Sequence, residues 1–207
     1  MKALLLLVSL CLSMVAWSED LDSGKSLFRS CAFCHGQQAQ GIEGGRFPRL
    51  AGMSDDYLIR QLKDFRAGRR DNESMVIVGR IRSLSDEQIA DLADYMAAIR
   101  LAKGDNPLDV ATLPGDINKG RKLYKRACRR CHGRKGRGKR RTGAPPLAGQ
   151  YGEYLQAQIE NFKVKERYHD NDEDDDTFYE YSNQEIGNIL AYITTLDDRK
   201  PSKRTLK

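Results

Sequence analysis

An offset of 97 residues maps the second half of this chain onto the first. It carries Cys31, Cys34, His35 and Gly36 to Cys128, Cys131, His132 and Gly133. It continues through Gly41 to Gly138, Pro48 to Pro145, and Leu50-Ala51-Gly52 to Leu147-Ala148-Gly149. Farther on, Tyr57-Leu58, Gln61, Phe65, Ser85, Ile89 and Tyr95 return as Tyr154-Leu155, Gln158, Phe162, Ser182, Ile186 and Tyr192. Ungapped self-similarity of this kind marks a duplicated domain, so the 207 residues divide into two small units. The expected division is a leader at 1–18, domain one at 19–103, a linker at 104–115, domain two at 116–198 and a basic tail at 199–207. Gly104-Asp105-Asn106-Pro107 and Leu113-Pro114-Gly115 give the linker its turn residues, and the tail is expected to fray.

Within each unit apolar residues recur at three and four, which predicts an all-α fold. Ser54 is placed to cap a helix that buries Leu58, Leu62 and Phe65 and ends at Gly68; its twin buries Leu155, Ile159 and Phe162. Ser85 with Gln88, and Ser182 with Glu185, predict capping boxes at the last helix of each unit. The expected buried stripes there are Ile89, Leu92, Met96 and Ile99, then Ile186, Ile189, Ile193 and Leu196. Val76-Ile77-Val78 is too short to carry a sheet.

Cys31-Ala32-Phe33-Cys34-His35 and Cys128-Arg129-Arg130-Cys131-His132 both read C-x-x-C-H, the attachment sequence of c-type haem. Two thiols on one helical turn meet the two vinyl groups of one haem, and the adjacent histidine meets its iron. A zinc site wants four ligands per metal, and a thioredoxin-like pair wants a βαβ setting. A disulfide framework would not require His35 and His132 at matched positions. The expected cofactors are therefore two covalently bound haem c groups, one per unit.

Met1-Lys2 followed by an apolar run to Ala16 and the sequence Ala16-Trp17-Ser18 reads as a secretory signal peptide cut after Ser18. An uncleaved anchor is the alternative, although the run falls short of the ~20 residues a span needs. Cys11 leaves with the leader, so the exported chain keeps four cysteines in an expected periplasmic setting.

With these residues in view the chain resembles the two-haem, two-domain class I cytochromes c of the cytochrome c4 type. The resemblance rests on the two haem motifs, Gly24 and Gly120, the Pro-x-Leu-Ala-Gly and Tyr-Leu-x-x-Gln segments, and Phe65-Arg66-Ala67-Gly68-Arg69-Arg70 before Met75. It implies a pseudo-twofold pair of helical domains and an electron carrier rather than an enzyme. It also implies that the carbonyls of Pro48 and Pro145 accept hydrogen bonds from His35 and His132, and it assigns the distal iron ligand of domain one to Met75. Met53 and Met96 are the rivals.

Domain two departs from that pattern. The offset sets Asp172 opposite Met75, and no methionine follows Met96. His169, the one histidine outside the motifs, lies three positions before the expected ligand site. Bis-histidine ligation is the favoured expectation; a surface histidine, a lysine, Tyr168, Tyr179 or an open iron are the alternatives.

The chain has a formal charge of +6, and charged residues of both signs concentrate in domain two, where Arg121 to Arg141 carries twelve cationic side chains. That run suits either a docking patch for an acidic redox protein or membrane surface, or a solvated face; it gives no reason to expect nucleic acid. Asp170 to Asp176, acidic but for Asn171, lacks the glycine of an EF-hand loop and reads as a solvated loop. The expected partners are a quinol-oxidising complex and a terminal oxidase or reductase. The alternatives are a subunit of a sulfur-compound-oxidising dehydrogenase, or a small haem enzyme if the second iron is open.

Overall fold

The computed structural model describes residues 21–42, 44–103, 111–169, 172–197 and 200–201. The signal peptide expected at 1–18 and residues 104–110 of the linker lie outside the described residues. Domain one contains α1 (21–35), α2 (Asp55–Ala67), α3 (Glu73–Ile77) and α4 (Asp86–Ala98). Domain two contains α5 (Ile117–Ala127) and α6 (Arg129–His132), which together match α1, then α7 (Gly152–Lys163) matching α2 and α8 (Asn183–Ile193) matching α4; no helix among the described residues matches α3. Among the described residues the one strand pairing is parallel and two residues long, Ala102–Lys103 with Lys200–Pro201. The start of the tail is therefore paired with the end of domain one and does not fray there. No helix among the described residues is long and apolar enough to cross a membrane.

Both predicted capping boxes are formed, with Ser85 and Gln88 at α4 and Ser182 and Glu185 at α8 each exchanging side-chain and backbone bonds. Gly68 ends α2 at φ 74°, a conformation that costs glycine nothing. Ser54 takes the N-cap position of α2, but its side chain makes no capping bond. Ile99 and Leu196, expected on the last stripes, lie past the ends of α4 and α8 and are half-buried.

The core of domain one is continuous through Phe28, Leu58, Leu62, Phe65, Ile89, Leu92 and Met96. That of domain two forms two clusters, Tyr124 with Ile189 and Ile193, and Ile159 with Ile186 and Leu190, bridged by Leu155 and Tyr181. In each domain the first and last helices touch at a glycine. A Cβ on Gly24 would stand 2.1 Å from the Asp91 carbonyl oxygen, and one on Gly120 would stand 1.8 Å from that of Asn188.

The domains meet at a seam built from repeated residues. Tyr57, Gln61 and Phe65 stand at successive fourth positions along α2, hence on one face, as Tyr154, Gln158 and Phe162 do along α7. Arg70 donates to its own Gln61 (2.9 Å) and across the seam to Tyr154 Oη (3.1 Å) and Gln158 Oε1 (3.0 Å). Arg167 mirrors it, donating to Gln158 (2.6 Å), Tyr57 Oη (2.7 Å) and Gln61 (2.8 Å). Beside this network the Gln150 side chain pairs with the backbone of Arg49, accepting from its N–H and donating to its carbonyl. Arg140 forms ion pairs with Asp55 and Asp56, and Arg60 donates to the Gly143 carbonyl.

Candidate functional site

The last turn of α1 presents Cys31, Cys34 and His35, while α6 presents Cys131 and His132 with Cys128 at its start. All four thiols are half-buried, and none is paired in a disulfide. Gly36 (φ 78°) and Gly133 (φ 82°) then turn the chain back beneath each histidine. Thirteen residues past each histidine the backbone supplies the predicted acceptor. His35 Nδ1 lies 2.8 Å from the Pro48 oxygen, and His132 Nδ1 lies 2.9 Å from that of Pro145. A carbonyl only accepts, so Nδ1 carries the proton in both rings and any metal bond falls to Nε2.

His35 is 3% exposed, and its Nε2 is buried without a hydrogen-bond partner. Burial pulls its pKa below the ordinary imidazole value against the opposing Pro48 bond, which keeps the ring neutral. A buried imidazole nitrogen left bare is what a metal-ligating histidine presents. Burial also pushes the Cys31 thiol up, and with the neighbouring Cys131 it pushes Cys128 up to about 11. In domain two Tyr124 donates its hydroxyl to the Gly133 carbonyl (2.7 Å), tying α5 to the residue after the motif; the twin position in domain one is Leu27.

Met75 lies on α3, where its N–H donates to the Asn72 capping oxygen (3.0 Å), and it packs half-buried against the core that also touches Cys31. Met53 and Met96 are 6% and 1% exposed within that core.

In domain two the structure brings His169 to His132. Their ring centroids are 6.3 Å apart and the planes are inclined by 31°. Two imidazoles on opposite sides of one metal, each with a metal–nitrogen bond of about 2 Å and a ring radius of about 1.1 Å, set their centroids about 6 Å apart. The His169 Nδ1 faces Asp175 Oδ2 at 2.8 Å. The ring stands edge-on to Phe162 and Phe178, which stack on each other with an interplanar angle of 8°. The Asp172 N–H donates to the His169 carbonyl while its side chain is exposed, so the twin position of Met75 faces outward. Tyr168 is half-buried; Tyr179 is exposed and gives its hydroxyl to the Lys163 carbonyl.

The twelve cationic side chains from Arg121 to Arg141 are exposed around Cys128 and Cys131. Of the acidic run, Asp170 and Asn171 lie outside the described residues. Two features escaped the sequence reading. Arg70 and Arg167 obey the same offset as their neighbours, so that signal was present. Asp175 carried none, because an aspartate among aspartates is singled out only by the loop's path.

Thiol pairs beside histidines anchored through Nδ1, one with a bare buried Nε2, fit covalent haem attachment. The profile of the Cytochrome c family matches residues 21–100 and again 117–197. Cytochrome c4 of Pseudomonas aeruginosa is 30% identical over 181 residues, covering 86% of this chain and 89% of that protein. A thiosulfate dehydrogenase electron acceptor of Stutzerimonas stutzeri is 34% identical over 151 residues, covering 68% of this chain and 66% of that one. The crystal structure of reduced recombinant cytochrome c4 from Pseudomonas stutzeri superposes with a TM-score of 0.70 at 27% identity, covering 84% of this chain and 97% of that chain. The chain belongs to the cytochrome c family, as a tandem pair of haem c domains of the cytochrome c4 kind.

Proposed function

We propose that the chain is a periplasmic electron carrier whose two domains, bounded at 19–103 and 116–198, each hold their haem through both faces of the iron. Cys31 and Cys34 would attach the first haem, with His35 and Met75 holding its iron; Cys128 and Cys131 would attach the second, with His132 and His169 holding its iron. Haem c supplies one-electron exchange at iron, with a potential set by the axial ligands and the groups behind them. The observation that carries the reading is the 6.3 Å spacing of His132 and His169, each ring anchored through Nδ1 so that Nε2 is the ligating atom. A haem held by both His132 and His169 would exchange electrons and offer no open position to a substrate, which favours a carrier over an enzyme. The apolar leader supports export to the periplasm.

On this reading the carrier runs between a quinol-oxidising complex and a terminal oxidase or reductase. A second reading, acceptor for a sulfur-compound dehydrogenase, is favoured by the resemblance to a thiosulfate dehydrogenase electron acceptor. The exposed basic surface of domain two suits an acidic partner in either case. Potentiometric titration of the holoprotein with spectra of each haem tests the reading, together with carbon monoxide added to the reduced protein. Two separate one-electron steps and no carbon monoxide adduct are expected. An adduct at domain two would mean an open iron and an enzyme. Replacing Cys128 and Cys131 by alanine is expected to remove one of two covalent haems by mass; loss of both or neither would overturn the assignment.

A further inference from the structure

We infer that Asp175 is the positioning residue of the second centre: its carboxylate fixes the His169 ring and makes that imidazole a stronger electron donor than His132. The inference rests on His169 being the distal ligand and adds what sets its strength.

The two imidazoles of domain two have chemically different supports. His132 donates Nδ1–H to a neutral carbonyl, Pro145, at 2.9 Å. His169 donates to a carboxylate oxygen, Asp175 Oδ2, at 2.8 Å. The carboxylate is itself held, because Oδ1 accepts the Thr177 N–H at 2.7 Å. The side chain of Asp175 is 15% exposed and that of His169 29%, so this contact is sheltered from bulk water. Edge-on contacts to Phe162 and Phe178 restrict rotation of the ring. An anionic acceptor behind Nδ1 draws the proton toward itself and raises the electron density at Nε2, more so than a carbonyl. A richer donor favours the ferric over the ferrous state and lowers the potential. In domain one no such carboxylate stands behind His35, whose Nδ1 meets the Pro48 carbonyl. Asp175 thus separates the two centres in potential beyond the difference between methionine and histidine.

The test is Asp175→Asn in the holoprotein, which keeps an oxygen acceptor in place and removes the charge. A tenfold loss of ferric preference at domain two is expected, a rise of about 59 mV in its midpoint. The domain-one midpoint should stay fixed, and the low-spin bis-imidazole resonance should persist. An unmoved domain-two midpoint with an unchanged resonance overturns the inference and leaves His169 as ligand. An unchanged spectrum in His169→Ala overturns the ligand assignment itself, so the two failures are distinct. If Asp175→Asn does not accumulate, nitrogen-15 spectra of the reduced native protein read the same contact. His169 Nδ1 should be more imidazolate-like than His132 Nδ1, and equal shifts overturn the inference.

Discussion

Arg70 and Arg167 cross the domain seam in opposite directions, each guanidinium bonding the other domain's tyrosine. Each also lies over its own domain's aromatic ring, Arg70 4.4 Å from the Phe65 centroid and Arg167 5.0 Å from that of Phe162. Burial pushes the Tyr154 hydroxyl up, but the two guanidiniums outweigh it and hold its pKa below the ordinary value.

Removing one arm should loosen the seam. Arg167→Ala removes its three donated bonds, to Tyr57, Gln61 and Gln158, and leaves the two glutamines with Arg70 alone as their guanidinium donor, at a cost of about 3 kcal/mol. Thermal unfolding should then split into two resolved transitions, and internal electron transfer measured by flash reduction should slow at least tenfold. One unsplit transition at the native temperature would show that the seam lies elsewhere.

Tyr124→Phe tests the hydroxyl that ties α5 to the motif turn. The side chain is 1% exposed, and its hydroxyl donates to the Gly133 carbonyl and also meets the Gly136 backbone. Its loss should destabilise domain two by about 1 kcal/mol in denaturant titration, with haem content intact. A neutral result would mean that solvent reaches that carbonyl.

Gly120→Ala should be far more severe, because the new methyl would stand 1.8 Å from the Asn188 oxygen and α5 cannot move without unseating the haem motif. A loss of about 3 kcal/mol or more is expected, with domain one retaining its melting transition. Native stability of domain two would refute the close approach of α5 and α8.

Acid should act on domain two through the cap of α5. Asp116 accepts the N–H groups of Lys119 and Asn118, which hold its pKa below the ordinary value of 3.8. A carboxylate depressed by folding stabilises above its unfolded pKa and loses that contribution as pH falls through the folded one. The midpoint of domain-two unfolding should therefore drop as pH falls below 3.8, and Asp116→Asn should flatten that limb. Parallel acid profiles for the two proteins would remove Asp116 from the account.

Much of this fold was legible because the chain states it twice. The offset exposed both motifs and both capping boxes, since helical spacing and cap chemistry are local. Ser54 misled in part, because holding the N-cap position does not oblige a serine to bond its helix. His169 could be suspected by elimination, yet its approach to His132 depends on how the loop after α7 folds over Phe162 and Phe178. That is a matter of packing between distant residues, and Asp175 became visible only with it.

The hydrogen bonds of the seam set the reaction order of this protein. With the domains held by bonds shared between twin helices, exchange between the two centres is a first-order event whose rate does not change on dilution. Every exchange with another molecule is second-order and follows concentration. The chain therefore behaves as a two-place store, filled one electron at a time by collision and levelled internally between collisions.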